Sequence, residues 1–168
     1  MLTYAQRSSL CAPAKPQHTH PMPYAIGLTI AFLVGALARR SRLDRDNAFY
    51  PTILMVSASY YVLFATMSGS VRATAIETVV MTAFVIVAAI GFRKNMWLIA
   101  AAFAAHGVFD SLHASSIVND GVPAWWPAFC LAYDAGATLV LIALLLNSRT
   151  AKSPASLPLN GQTNVNLS

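Results

Sequence analysis

Apolar residues in this chain gather into blocks of about twenty, the length at which a helix crosses a bilayer. Of the 168 residues, 57% are apolar and only 10% are charged. A soluble domain carries roughly 25% charged residues, and 10% cannot cover a water-facing surface. The blocks lack strand-like alternation, which argues against a β-barrel. Each block must satisfy its own backbone in lipid, so each is expected to be a helix. The expected fold is all-α, an integral membrane bundle of five transmembrane helices.

The five expected spans cover 24–38, 48–67, 73–92, 96–114 and 124–146. The fourth is the weakest by hydropathy, because it carries three ionisable side chains. The formal charge is +5, from 11 basic and 6 acidic residues. The basic residues lie between blocks, so topology accounts for them and nucleic acid is not indicated. Arg39, Arg40, Arg42 and Arg45 follow the first span, Arg93 and Lys94 the third, and Arg149 and Lys152 the fifth. With five spans these three segments share one side, which the positive-inside rule makes cytoplasmic. The N-terminus is then outside and the C-terminus cytoplasmic. Trp125 and Trp126 fall at the outer interface, where amphipathic aromatics belong.

Residues 1–21 form a polar tail with Pro13, Pro16, His18 and His20 and no apolar core, so they do not read as a signal peptide. Translation from Met22 is one reading of that stretch. The Ser-, Pro- and Asn-rich segment 148–168 reads as a mobile tail. Cys11 and Cys130 lie in different settings and form no CxxC. HExxH, Walker A, GxGxxG and Gly-x-Ser-x-Gly motifs are all missing from the sequence. No internal repeat suggests an inverted-repeat transporter.

Charged groups inside a span cost roughly 2.5–3.5 kcal/mol each on insertion scales. Glu77, Asp110 and Asp134 nevertheless fall within blocks, with His106 and His113 beside them. His106, Asp110 and His113 are spaced i, i+4, i+7 and share one helical stripe. In the five-span topology all five residues lie between the outer interface and the bilayer centre. Cys130 joins Asp134 one turn away, with Thr138 one turn beyond.

His, Asp, Glu and Cys are ligands for zinc and related divalent transition metals. The expected metal ligands are His106, Asp110 and Asp134, with Cys130 or Glu77. His113 and Glu77 are the expected general acid and base. His106 and His113 stand about 10.5 Å apart along the helix, so adjacent His–Asp pairs reach one ion more easily than all three. The same stripe without metal reads as a proton relay, and at its plainest as polar glue between helices. Ser57, Ser59, Tyr60 and Tyr61 are weaker candidates for lining the cavity. Ala132 and Gly136 read as a close-packing pair. Asn119-Asp120-Gly121 reads as a turn above the site, with a lid the less favoured role.

The run His106-x3-Asp110-x2-His113, followed by Trp125-Trp126-Pro127-x-Phe129-Cys130-x3-Asp134, resembles a pattern in an uncharacterised family of small bacterial multi-pass membrane proteins. It covers the last two spans, about a quarter of the chain. The resemblance implies a bacterial inner-membrane protein and a polar cluster acting as a unit; it implies no activity. The cluster is loosely similar to the metal sites of alkaline ceramidase and progestin-receptor-like membrane hydrolases, which have about seven spans. The His-x3-Asp spacing is also similar to that of CAAX-type intramembrane proteases, whose paired glutamates are missing here. The functional expectation is a metal-dependent membrane hydrolase acting on a lipid or other amphipathic substrate. The alternatives are a small proton-coupled transporter or sensor, and a structural subunit without a site.

Overall fold

A computed structural model describes residues 21–43 and 47–151. Arg45, most of the N-terminal tail and most of the C-terminal tail lie outside the described residues, as does the question of a start at Met22. The described chain is all-helical, with five helices. They are α1 (Met22–Arg40), α2 (Phe49–Met67), α3 (Val71–Lys94), α4 (Met96–Ser116) and α5 (Trp126–Ala151).

The helix ends follow from local chemistry. Pro23 opens α1 in its first turn, where no intrahelical N–H is needed, and Arg39 and Arg40 close it against the negative end of its dipole. Gly69, at φ 73°, turns α2 into α3 in a conformation that costs other residues energy. Ser70 caps α3 by accepting from Ala73 N–H at 3.2 Å. Asn95 alone connects α3 to α4, and its side chain caps α4 by accepting from Trp97 N–H at 3.0 Å.

Four helices are long and apolar enough to cross a membrane: α1, α2, α3 and α5 through Asn147. Among the described residues, many large apolar side chains are exposed while a cluster of ionisable ones is buried. Leu33, Leu37, Val79, Ile86 and Leu139 are exposed, while Glu77, His106, Asp110, His113 and Asp134 are all at most 2% exposed. That distribution is consistent with a membrane protein.

α4 sits at the centre, packed on α5, α3 and α2. Its buried stripe contains Ile99, Phe103, His106, Asp110 and His113, stepping by three and four. The half of α4 near Ile99 joins an apolar core with Leu54, Ala88 and Leu141. The other half carries the polar residues.

α1 packs on α5 alone among its stronger partners. A Cβ at Gly27 would strike the Phe129 carbonyl, one at Gly136 would come 2.7 Å from Ala31 Cβ, and one at Gly35 would come 2.8 Å from Val140. Contacts therefore advance together along both helices, so α1 and α5 run parallel. Small residues at 27, 31 and 35 permit this backbone approach. Gly136 supplies the matching surface on α5.

Candidate functional site

The polar half of α4 meets α2, α3 and α5 in two buried layers. In the inner layer, His106 Nδ1–H donates to Asp134 Oδ2 at 2.6 Å. Asp110 Oδ2 stands 3.5 Å from the same nitrogen, within electrostatic reach but beyond a formed hydrogen bond. Asp110 Oδ1 accepts from the Tyr61 hydroxyl at 2.8 Å. The Phe84 and His106 rings pack T-shaped with centroids 4.8 Å apart, so the imidazole is walled on that side by hydrocarbon. Gly107 faces α5 beside Asp134; a Cβ there would lie 3.4 Å from Asp134 Cβ, in ordinary van der Waals contact.

In the outer layer, His113 Nε2–H donates to Glu77 Oε1 at 2.7 Å. Asn119, in the α4–α5 connection, donates to Glu77 Oε1 at 2.9 Å and to the Tyr61 carbonyl at 3.2 Å. Gly121 N–H donates back to Asn119 Oδ1 at 3.3 Å, which holds the amide in place as an Asx turn does. A Cβ at Gly121 would collide with the Phe64 carbonyl, so this connection is seated on the end of α2.

Tyr61 joins the layers. Its hydroxyl serves Asp110, its carbonyl serves Asn119, and its ring stacks on His113 at 4.1 Å and 25°. Sequence reasoning ranked Tyr61 low, because tyrosines in spans commonly pack or bond the backbone. Asn119 reads from the sequence as part of a turn above the site, with a lid the less favoured role and no inward hydrogen bond expected. The signal for Asn119 was weak: an amide near a turn normally caps that turn, and here it does so while also reaching inward.

His106, Asp110 and Asp134 form a group able to hold a metal ion, with one ligand atom from each lying within 4.8 Å of the others. Glu77 pairs with His113 in the layer above. Cys130 is buried one turn before Asp134 on α5 and is not one of the three residues of that group. Thr138 donates to the Asp134 carbonyl at 2.7 Å. Ser59 and Ser111 bond backbone carbonyls of their own helices.

Four buried atoms of these layers have no hydrogen-bond partner among the described residues: Glu77 Oε2, His106 Nε2, Asp110 Oδ2 and Asp134 Oδ1. Each unsatisfied buried polar atom costs roughly 1–3 kcal/mol. Two carboxylates also converge on one imidazole. With both ionised and His106 protonated, the inner layer still carries an uncompensated negative charge in a low-dielectric setting. A proton or a cation relieves that excess.

Comparison with protein-family models, curated proteins and solved structures finds no match. What the site can do is therefore argued from its geometry.

Proposed function

We propose that the chain is a five-span membrane protein, N-terminus outside, whose His106, Asp110 and Asp134 bind a divalent transition metal such as zinc in the outer half of the bilayer. The observation that carries this reading is the buried His–Asp–Asp group with orphaned oxygens on both carboxylates. Three features support α4 as the fifth span. Its hydropathy deficit comes mainly from residues it buries, while its exposed face carries Ala101, Ala104, Val108 and Leu112. Its exposed Ser111 and Ser115 return their hydroxyls to the helix backbone. The parallel course of α1 and α5 also requires an even number of reversals between them, which α4 supplies by crossing. The bacterial inner membrane is the setting that the family resemblance implies.

The 2.6 Å His106–Asp134 contact is a proton-sharing distance. Ligands of a tetrahedral zinc ion lie about 3.4 Å apart, from metal–ligand distances near 2.1 Å. A metal held by His106 Nδ1 and Asp134 together would take the place of the shared proton, and the pair would have to open by somewhat under 1 Å. Metal binding strengthens as pH rises, because a proton leaves when the ion enters. A bound metal would supply an activated water, and the reaction class that uses it is hydrolysis. Glu77 and His113, one layer further out and linked through Tyr61, are the groups available as general base and acid.

Titration with cobalt(II), whose visible spectrum reports tetrahedral coordination, tests the reading. One saturable equivalent is expected, tighter at higher pH and weakened at least roughly tenfold by Asp134→Asn. The absence of a saturable spectrum at every pH where the protein stays folded would refute it. The short His106–Asp134 contact favours one second reading, a proton-coupled transporter or sensor. Proton flux in liposomes that is independent of metal and lost in Asp110→Asn would select it.

A further inference from the structure

His106, Asp110 and Asp134 are each at most 1% exposed, so an ion reaches them only if the protein moves. Hydrocarbon closes most approaches. Toward the start of α4, Phe103, Ile99, Leu54 and Leu141 belong to the apolar core and are at most 2% exposed. Phe84 stands on the α3 side. Lipid surrounds the bundle, and a bare charge enters it only at high cost. The remaining approach is polar. It passes the outer layer of Glu77 and His113 and ends under residues 117–125, whose Asn119 bonds Glu77.

That segment is held at one point. Asn119 is its only buried residue, while Val118 is 83% exposed and Trp125 51%. Little hydrocarbon burial therefore opposes its lifting. Among the described residues, two hydrogen bonds tie it to α2 and α3, and both come from the Asn119 amide, to the Tyr61 carbonyl at 3.2 Å and to Glu77 Oε1 at 2.9 Å. The turn's other bonds are internal. Val122 N–H donates to the Asn119 carbonyl at 3.1 Å, and Gly121 N–H donates to Asn119 Oδ1 at 3.3 Å. The turn therefore keeps its shape when the two ties break. Ile117, where α4 gives way to extended backbone, is the hinge on the α4 side.

We infer that residues 117–125 are the gate through which the buried group exchanges its ion, and that Asn119 is the latch that holds the gate shut. Opening breaks the two Asn119 ties and brings water first to Glu77 and His113. Glu77 Oε2, buried without a hydrogen-bond partner among the described residues, is the acceptor an entering cation then meets before His106. Loss of a few local bonds is a low-cost opening, distinct from global unfolding. Asn119 touches none of the three ligand residues, so the latch sets the rates of entry and exit and leaves the affinity unchanged. The identity of the ion rests on the metal reading above, whereas the gate belongs to the metal-free fold and is testable there.

The first test measures deuterium exchange at the imidazole C2–H of His106 by mass spectrometry, on the full metal-free chain in detergent. Asn119→Ala is expected to speed this exchange roughly tenfold. Gly35→Ala, which strains the α1–α5 contact at Val140, should leave it unchanged. Equal exchange in Asn119→Ala and wild type would overturn the inference, because water then reaches His106 elsewhere. Equal acceleration by both variants would also overturn it, as general loosening. Where Asn119→Ala folds poorly, the wild type decides: His106 C2 should exchange while the α4 amides around it stay protected. Exchange that appears only as those amides lose protection would place the opening in unfolding of α4 and overturn the gate. The second test follows cobalt(II) in Asn119→Ala, where uptake and release should both quicken at the same affinity. Altered affinity at unchanged rates would overturn the latch. Gated exchange on protein that binds no cobalt would uphold the gate and refute the metal reading alone.

Discussion

Tyr61→Phe isolates one interaction and reads out the charge of the site. The substitution keeps the ring, so its stacking on His113 at 4.1 Å is preserved. It also keeps the backbone carbonyl that receives Asn119. What it removes is the 2.8 Å hydrogen bond from the hydroxyl to Asp110 Oδ1. Asp110 Oδ2 already has no hydrogen-bond partner among the described residues, so the carboxyl group loses its one formed bond. Between neutral groups, interhelical hydrogen bonds in membranes average about 0.6 kcal/mol. Bonds to a charged acceptor are worth roughly 1.5–3 kcal/mol. An ionised Asp110 therefore predicts a loss of about 2 kcal/mol in the metal-free protein, measured by reversible unfolding in mixed micelles after chelation. A metal on Asp110 would supply the missing partner, so the loss should shrink when the protein is metal-loaded. A loss of only about 0.6 kcal/mol in the metal-free protein would mean that Asp110 is neutral at rest. The excess negative charge invoked for metal binding would then not exist.

Other parts of the account are open to equally direct tests. Gly27→Leu places a side chain against the Phe129 carbonyl and should cost several kcal/mol by separating α1 from α5, seen as loss of folded protein in detergent. Asn119→Ala removes two hydrogen bonds that tie the α4–α5 connection to α2 and α3, and should raise hydrogen exchange in 117–125 without altering exchange in α1. In a Cys11→Ala, Cys130→Ala background, Asp120→Cys should react in intact cells with a membrane-impermeant thiol reagent. Lys94→Cys should react only after permeabilisation; the reverse pattern would invert the topology. Glu77→Gln should leave metal content unchanged, because Glu77 pairs with His113 outside the three-residue group.

The apolar blocks made the helices legible, because length and hydropathy are local properties of a bilayer-spanning segment. The buried stripe of α4 was legible for the same reason: residues at 106, 110 and 113 share a face whatever surrounds them. Of the adjacent pairs on that stripe, the His106–Asp110 pair joins Asp134, while His113 turns to Glu77. Periodicity identifies a face but not the neighbour that covers it, so this division could not be read from spacing. Cys130 illustrates the same limit, since it shares a stripe with Asp134 and yet also lines a cleft between α5 and α2. The small-residue spacing of Ala132 and Gly136 marked a close-packing face on α5, but not that Gly27, Ala31 and Gly35 of α1 would cover it, because spacing identifies a face and not its partner. The links that Tyr61 and Asn119 make between the layers became visible only when three helices and a connection were brought to one point.

The metal content of the detergent-purified protein, prepared without chelators beside His106→Ala and Asp110→Ala, tests the central claim most directly. The account predicts near-stoichiometric zinc or another divalent transition metal in the wild type and its loss in both variants, with helix content retained. A folded wild type that carries no metal and takes up none would contradict it, and would leave the buried His–Asp layers as a proton site or as the polar seam that holds α4 in the bundle.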